Sequence, residues 1–368
     1  MPAKNFSTKF SLPKNSPYIS YPVQLLARGP WSDFLRDNGY AKLSQKLKLQ
    51  VFYRIAEVQE IWEQFSPNHS VFDLWNTRNA FYEAYRFEPY FLTLFKQKGT
   101  YKDILGVLPL WHNTDKLEPG DDPVACDASK YVWFGSSWPE DNKFFVKDVE
   151  MIPLLLTAAP DNLELACIKP SSEYDFLLEF PGYTQEEEKK YFLDLTSIST
   201  LDDYLSKLKK KKRYNLRRDR KRILALNPQI IINENVHVEE MFNLSIKRFR
   251  ELFPDEPDEY SAFEDDRRKN VYRNLLKFAK NYQTRVITTV INGKKEAVEF
   301  GLVYNKTYYA LNSGADISRY SGIGVFSNLQ VLEDALNLGC NKIDFLEGDN
   351  NWKDSWHLDY YYQYQFTK

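Results

Sequence analysis

Two hydrophobic periods alternate along this chain, and each half runs through them in the same order. In QVFYRIAEVQEIWE, residues 50–63, a short apolar alternation passes into helical spacing, and WNTRNAFYEAY at 75–85 is again helical. PYFLTLFKQKG and TYKDILGVLPLW then read as two β runs joined at Lys98-Gly99, a hairpin signal. KYVWFGSSW, the helical VEMIPLLLTAA and the strand-like LELACI complete this half. In the second half EEMFNLSIKRFRELF and NVYRNLLKFAKNY predict helices, and TRVITTVINGKKEAVEFGLVY predicts two strands joined at Asn292-Gly293. TYYALNSGAD, VFSNLQVLEDALNLG and NKIDFL then read as strand, helix and strand.

Gly99 and Gly293 lie 194 residues apart, about half the chain, so the pattern predicts a tandem duplication of one α/β unit. YTQEEEKK is charged and has no apolar periodicity, which puts the boundary near residue 188 and the units at 1–188 and 189–368.

Composition narrows the picture by exclusion. A net charge of −2 in 368 residues gives no whole-chain field toward nucleic acid or an anionic membrane. Cys126, Cys167 and Cys340 lack C-x-x-C spacing and the four histidines are scattered, so neither a metal site nor a disulfide framework is expected. The first twenty residues lack a secretory h-region and no 18 apolar residues run together, which predicts a cytoplasmic protein without a membrane span. Aromatic residues make up 16%, from 25 Tyr, 25 Phe and 8 Trp, and serve either core and sheet packing or a groove for a flat ligand such as a sugar.

The most informative local stretch is SRYSGIGVF, residues 318–326. No Lys-Ser or Lys-Thr follows, so it is not a Walker loop, and Ser327 stands where a dinucleotide fingerprint needs its third glycine. What remains is Arg319-x-x-Gly322-x-Gly324 between a strand and an amphipathic helix marked by Val325, Phe326, Leu329, Leu332 and Leu336, with Gly339 as its stop. The first turn of such a helix offers free N–H groups, here around Ser321, Gly322, Ile323, Gly324 and Val325, and residues without Cβ let a diphosphate approach them. Arg319 adds a charged contact at the rim. The other reading is a plain β-turn-α connection whose glycines only relieve backbone strain.

That loop resembles the acyl-CoA pyrophosphate loop, [QR]-x-x-G-x-[GA], of the GNAT acyltransferases. The resemblance is closest to their two-unit branch, the FemAB-like proteins and the acetyltransferases associated with cellulose biosynthesis. It is carried by DDYLSKLKKKKRYNLRRDRKRIL at 202–224, by SRYSGIG, and by DFLEGDNNWKDSW at 344–356. The resemblance implies an α/β (α+β) fold of tandem GNAT-like units, each a mixed, mostly antiparallel sheet flanked by helices. It further implies an acyl-CoA-dependent N-acyltransferase whose donor is acetyl-CoA or another acyl-CoA. Residues 190–368 would hold the working site, and the first unit, without the loop, would be a degenerate partner shaping the acceptor cleft. The acceptor would be an amine on a sugar, an amino acid or a small metabolite.

Acyl transfer from a thioester needs a base for the nucleophile, a donor for the carbonyl oxygen and an acid for the leaving thiolate. Asn312 and Ser313, before Gly314, form the stretch of TYYALNSGAD expected to be irregular and to offer a free backbone N–H. Glu299, inside the apolar run AVEFGLVY, is the candidate base because burial raises a carboxyl pKa; it could equally be paired with a basic neighbour. Asp344 is a second carboxyl candidate, and period 2 puts it and Glu347 on opposite faces of the last strand. By resemblance to an aromatic-Lys segment of the FemAB-like branch, Lys353 would stabilise transition-state charge, although this chain has Trp352 where Tyr is usual. Trp352 and Trp356 are acceptor-side candidates or simply pack.

Between Lys207 and Arg222 eleven of sixteen residues are Lys or Arg, with Asp219 the one acid. Too few apolar positions interrupt the run for a wide buried face. The run is a solvated face, a nucleic-acid surface, or a hold on an anionic acceptor, with Arg213, Asn215 and Arg217 as the residues to examine. Two alternatives to acyl-CoA transfer follow: a FemAB-like aminoacyltransferase using aminoacyl-tRNA, and a non-catalytic module binding nucleic acid or an anionic polymer through 207–222.

Overall fold

The computed structural model describes residues 30–40, 42, 46–98, 101–114, 129–135, 138–255, 261–348 and 352–368. Cys126, Gly99 and the Asp349-Asn350-Asn351 segment lie outside them. The chain divides into two compact units, residues 1–187 with 363–368, and residues 188–362.

Among its described residues the first unit has helix α1 (Pro30–Asp37) and strand β1 (Lys48–Phe52), then helices α2 (Ile55–Phe65) and α3 (Trp75–Tyr85). Strands β2 (Glu88–Lys98), β3 (Tyr101–Asn113), β4 (Lys130–Trp133) and β5 (Phe145–Val146) follow, with helix α4 (Ile152–Ala158) and strand β6 (Glu164–Ile168). Its sheet runs β1-β2-β3-β4 with β5 against β3. β6 pairs antiparallel with the C-terminal residues 364–367. Leu92, Leu94, Leu108 and Leu110 pack against Leu154, Leu155 and Leu156 of α4. The aromatic surplus goes into this unit's core: the Trp62 ring meets Phe91, Phe134 and Phe145 at 6.2, 6.1 and 4.9 Å.

The second unit contains β7 (Tyr183–Asp194, which begins just before the division), α5 (Leu201–Lys207), α6 (Lys210–Leu224), β8 (Gln229–Ile232), α7 (Val238–Leu252) and α8 (Asp266–Lys277). It continues with β9 (Gln283–Ile291), β10 (Lys294–Tyr304), β11 (Thr307–Ala315), α9 (Ile323–Asn337), β12 (Lys342–Glu347) and the start of β13 (Asp359–Thr367), whose residues from Gln363 on belong to the first unit. Strand order is β7-β12-β11-β10-β9-β8. Only β11 and β12 run parallel within that order. Among the described residues, β1 through β6 and β8 through β12 share one element order: strand, two helices, three strands, helix, strand, with β5 as the first unit's addition.

Local chemistry explains these elements. Asn292 and Gly293 take φ of 51° and 76°, the pair of left-handed residues that a two-residue hairpin turn requires. α5 starts on a capping box between Thr200 and Asp203. In α9, Phe326, Leu329 and Leu332 are buried, and Gly339 ends the segment at φ 66°. Successive residues of β10 show what covers each face: Phe300 meets Tyr272 of α8 at 5.2 Å, whereas Glu299 hydrogen-bonds Ser327 of α9. Gly314 lets α7 pack close against β11, since a Cβ there would sit 2.4 Å from the Met241 carbonyl oxygen.

Two stretches take a form their side chains do not announce. YTQEEEKK, charged and without apolar periodicity, is most of β7, which lies between β13 and β12 in the sheet, and its last residue, Lys190, stands opposite Glu347. The basic run 207–222 is not one continuous helix: Lys207 ends α5, α6 begins at Lys210, and between them the buried Leu208 turns into the core. Among the described residues no helix is long and apolar enough to cross a membrane.

Candidate functional site

The site begins where two parallel strands part. Pairing of β11 with β12 covers Thr307–Lys342, Tyr308–Ile343 and Tyr309–Asp344 and then stops, although β11 continues to Ala315 and β12 to Glu347. β11 keeps its ladder with β10, but with a register shift that leaves Leu311 without an opposite residue. The irregularity therefore sits one residue before the expected Asn312–Gly314 stretch, which is paired with β10. Asn312 is opposite Phe300 and Ser313 opposite Glu299. The Asn312 amide is turned into local bonding, accepting the Ser313 N–H at 2.8 Å.

From the end of β11 the chain enters the glycine loop. Asp316 organises it: its carboxylate accepts the Ser318 hydroxyl at 2.8 Å, the Arg319 N–H at 3.1 Å and the Lys247 ammonium at 2.5 Å. Burial opposes ionisation of Asp316, but these bonds outweigh it and hold its pKa below the usual range. Gly322 has φ 91° and precedes α9. A Cβ on it would stand 2.9 Å from the Asp219 Cβ of α6, so glycine is needed there for both backbone and packing. Gly324 differs, because a Cβ there would meet only Ile317, at 3.9 Å. The Ile323 N–H donates to Tyr320 O and that of Phe326 to Gly322 O. The N–H groups of Gly324 and Val325, in the first turn between them, have no acceptor one turn earlier in the helix. Ile323 is fully buried and contributes only backbone; the Val325 side chain is half-buried.

Arg319 turns to Glu296, 2.7 Å away. The cation reaching the loop is Arg222 of α6, whose guanidinium donates to the Ser321 hydroxyl at 3.1 Å. Sequence reasoning included Arg222 in the basic run without singling it out. The signal available was Asp219, the one acid in that run, which contacts Arg218 at 2.8 Å and lies beside Gly322.

Glu299 lies beneath α9, 6% exposed. Burial pushes its carboxyl up to about 8, with the bond to Ser327 pulling the other way. Close by in the same layer, Arg285 of β9 makes two bonds to Asp334 of α9, at 2.8 and 2.5 Å. Burial raises the Tyr308 phenol well above its ordinary value, with Asp334 and Glu299 adding to the effect, so it stays neutral.

The two other candidates for chemistry are tied into the frame. Asp344, 1% exposed, forms an ion pair with Lys190 of β7 at 3.1 Å and accepts the Leu346 N–H at 3.0 Å. The Lys353 ammonium donates to the carbonyls of Phe345, Leu346 and Glu347. The expectation that Asp344 and Glu347 occupy opposite faces fails, because the β12–β7 register skips Phe345. Asp344 stands opposite Phe192 and Glu347 opposite Lys190, positions on one face of β7. Trp356 is 2% exposed, with its carbonyl accepting the Tyr204 hydroxyl, and Trp352 packs between Phe345 and Trp356 at 5.4 and 5.1 Å.

On α6 only Leu216 and Ile223 are buried. Arg213 donates to Ser206 O at 3.0 Å and Arg217 to Asp202 at 2.8 Å; Asn215 between them is half-buried. Lys212 donates to the Ser355 hydroxyl at 2.7 Å and lies over the Trp356 ring at 5.7 Å, linking this helix to the segment that holds Lys353.

Residues 210–354 match the family described as acetyltransferase (GNAT) domain. No functionally curated protein matches the chain in sequence. Among solved structures, FemX is similar with a TM-score of 0.53 at 9% identity, over 86% of this chain and 97% of that one. A conserved protein of unknown function from Bacteroides thetaiotaomicron VPI-5482 gives 0.50 at 13% identity, over 86% and 99%. Likeness at these identities shows a shared fold over most of both units.

Proposed function

We propose, from a second unit that carries a GNAT acetyltransferase domain, that this protein transfers an acyl group from acyl-CoA to an amine. One observation carries the reading. β11 leaves β12 at Tyr309 and runs directly into a loop whose next element, α9, presents the N–H groups of Gly324 and Val325. A thioester in the opening between the strands would have its diphosphate within reach of the loop. Gly324 leaves the space for it, and Arg222 supplies a positive charge at Ser321.

In the transfer the amine nitrogen bonds to the acyl carbon as the carbon–sulfur bond breaks. The amine loses a proton and the thiolate gains one. Glu299 is the carboxyl whose proton affinity suits the accepting role near neutral pH, and it stands across the ladder from Ser313 on the strand that opens. Backbone N–H groups of β11 released from pairing are the candidates for holding the carbonyl oxygen.

Calorimetric titration of acetyl-CoA and CoA into wild type and Gly324→Asp tests this. The variant adds a carboxylate where the structure leaves room, so it should fold normally and lose binding. A folded wild type that binds neither ligand overturns the reading.

A second reading, an aminoacyl group delivered on tRNA, is favoured by the exposed row of Lys210, Lys211, Arg217, Arg218 and Lys221 on α6, with Tyr214 66% exposed beside it. It requires tRNA binding that weakens steeply with salt and is lost when these cations are neutralised. Transfer activity that fails with every acyl-CoA and every charged tRNA would leave a binding module.

A further inference from the structure

Three successive carbonyls at the end of β12 converge on one ammonium. Lys353 Nζ donates to Phe345 O at 2.8 Å, Leu346 O at 3.2 Å and Glu347 O at 2.9 Å. In a regular strand successive carbonyls point to alternate sides, so one donor cannot gather three of them. Here Leu346 takes φ of 62°, and the register on β7 skips Phe345; together they turn the carbonyls inward. A left-handed backbone is strained for a leucine. Three charge-assisted bonds to a cation that is itself 6% exposed offset that strain.

The matching N–H is also occupied. Leu346 N donates to Asp344 Oδ1 at 3.0 Å, and Lys190 holds the same carboxylate in place from β7 at 3.1 Å. Pairing of β12 with β11 ends at Asp344. Beyond that point the carbonyls of Phe345, Leu346 and Glu347 are bonded to Lys353 and the Leu346 N–H to Asp344, which takes them from any continuing ladder. The ammonium is fixed in turn by its surroundings: the Tyr191 ring lies 5.5 Å from it, and the Tyr191 hydroxyl donates to Asp354 at 2.9 Å, one residue on from Lys353.

We infer that Lys353 and Asp344 act as a clamp on the end of β12, holding it off β11 and so keeping open the gap that the acyl group enters. Lys353 is then a positioning residue: an ammonium has three N–H donors, and three backbone carbonyls take them. The inference rests on the acyl-transfer reading only for the purpose of the gap; the clamp itself is a property of the chain.

The test uses the full-length protein with Lys353→Met, which keeps side-chain length and removes all donors, and Lys353→Arg, which keeps charge and donors. Amide hydrogen exchange is followed over residues 308–316 and 343–348, with CoA titration and acetyl-CoA turnover alongside. Lys353→Met should change exchange about tenfold or more in those two segments while α7 and α8 stay as in wild type. CoA affinity, set at the glycine loop, should hold within about twofold, and kcat should fall about 100-fold, as expected for misplacement near the reacting atoms. Lys353→Arg should fall between the two in exchange and in kcat. If Lys353→Met does not fold, intermediate exchange in Lys353→Arg, confined to the same segments, supports the clamp. Wild-type exchange in every folded variant overturns it, and a loss of kcat under those conditions would mean that the ammonium acts on the substrate. If wild type binds neither CoA nor acetyl-CoA, the acyl-CoA reading fails while the exchange data still decide the clamp.

Discussion

Glu299 of β10 and Ser327 of α9 are hydrogen-bonded across the layer between sheet and helix, and the carboxyl of that pair is pushed up to about 8 by burial. A carboxylic acid buried under the helix that follows the glycine loop makes stability depend on its proton.

The direction of that dependence is set by the raised folded-state value. Between about 4.5 and about 8 the folded chain holds a proton that the unfolded chain has released. The stability this group contributes is therefore fully present below about 4.5 and is lost as pH rises through about 8, with a slope of about 1.4 kcal/mol per pH unit within the window. Glu299→Gln should remove the slope in urea unfolding at pH 5, 6.5 and 8.5. If Glu299 is the base, wild-type turnover rises with pH toward a plateau above about 8 and the variant loses roughly 100-fold or more in kcat.

The two loop glycines should respond differently to the same substitution. Gly322→Ala meets both a φ of 91° and the Asp219 Cβ at 2.9 Å, so it should cost roughly 1–3 kcal/mol. Gly324→Ala has no such obstacle and should unfold within about 1 kcal/mol of wild type, the ordinary range for glycine to alanine in a helix. Thermal unfolding of both variants checks this without any ligand.

Arg285 and Asp334 join β9 to α9 as a buried pair, 9% and 6% exposed. Asp334→Ala should destabilise by roughly 3–5 kcal/mol because it strands a buried guanidinium. Arg285→Met combined with Asp334→Leu should recover much of that loss, and denaturant unfolding of the single and double variants measures the difference.

Arg222 donates to Ser321 from outside the β11–α9 segment. Arg222→Ala should weaken CoA binding by about tenfold, in the range of one charge-assisted contact, and should flatten the salt dependence of the dissociation constant. Arg319→Ala, whose parent guanidinium is paired with Glu296, should change the affinity less. Titrations at two salt concentrations separate them.

Elements governed by near neighbours were legible from the residues in order. The helix from Ile323, the Asn292-Gly293 hairpin and the repeated sequence of strands and helices depend on periodicity and turn chemistry, which act over a few residues. Glu299 could be picked out because a carboxylate inside an apolar run announces its own burial, and the glycine loop because its spacing is local. The strand in YTQEEEKK had no such local signal, because it comes from the place of β7 between β13 and β12 in the sheet, not from its side chains.

By itself, then, the sequence determined the elements, the loop and the buried carboxyl. The tertiary structure alone decided the partners: Asp344 with Lys190, Arg285 with Asp334, Arg222 with Ser321, and Lys353 with three carbonyls. The reason is one of range. A side chain's identity states what it can bond, but which groups come within 3 Å follows from sheet register, and one skipped residue at Phe345 moved Asp344 and Glu347 onto one face and aimed the end of β12 at Lys353.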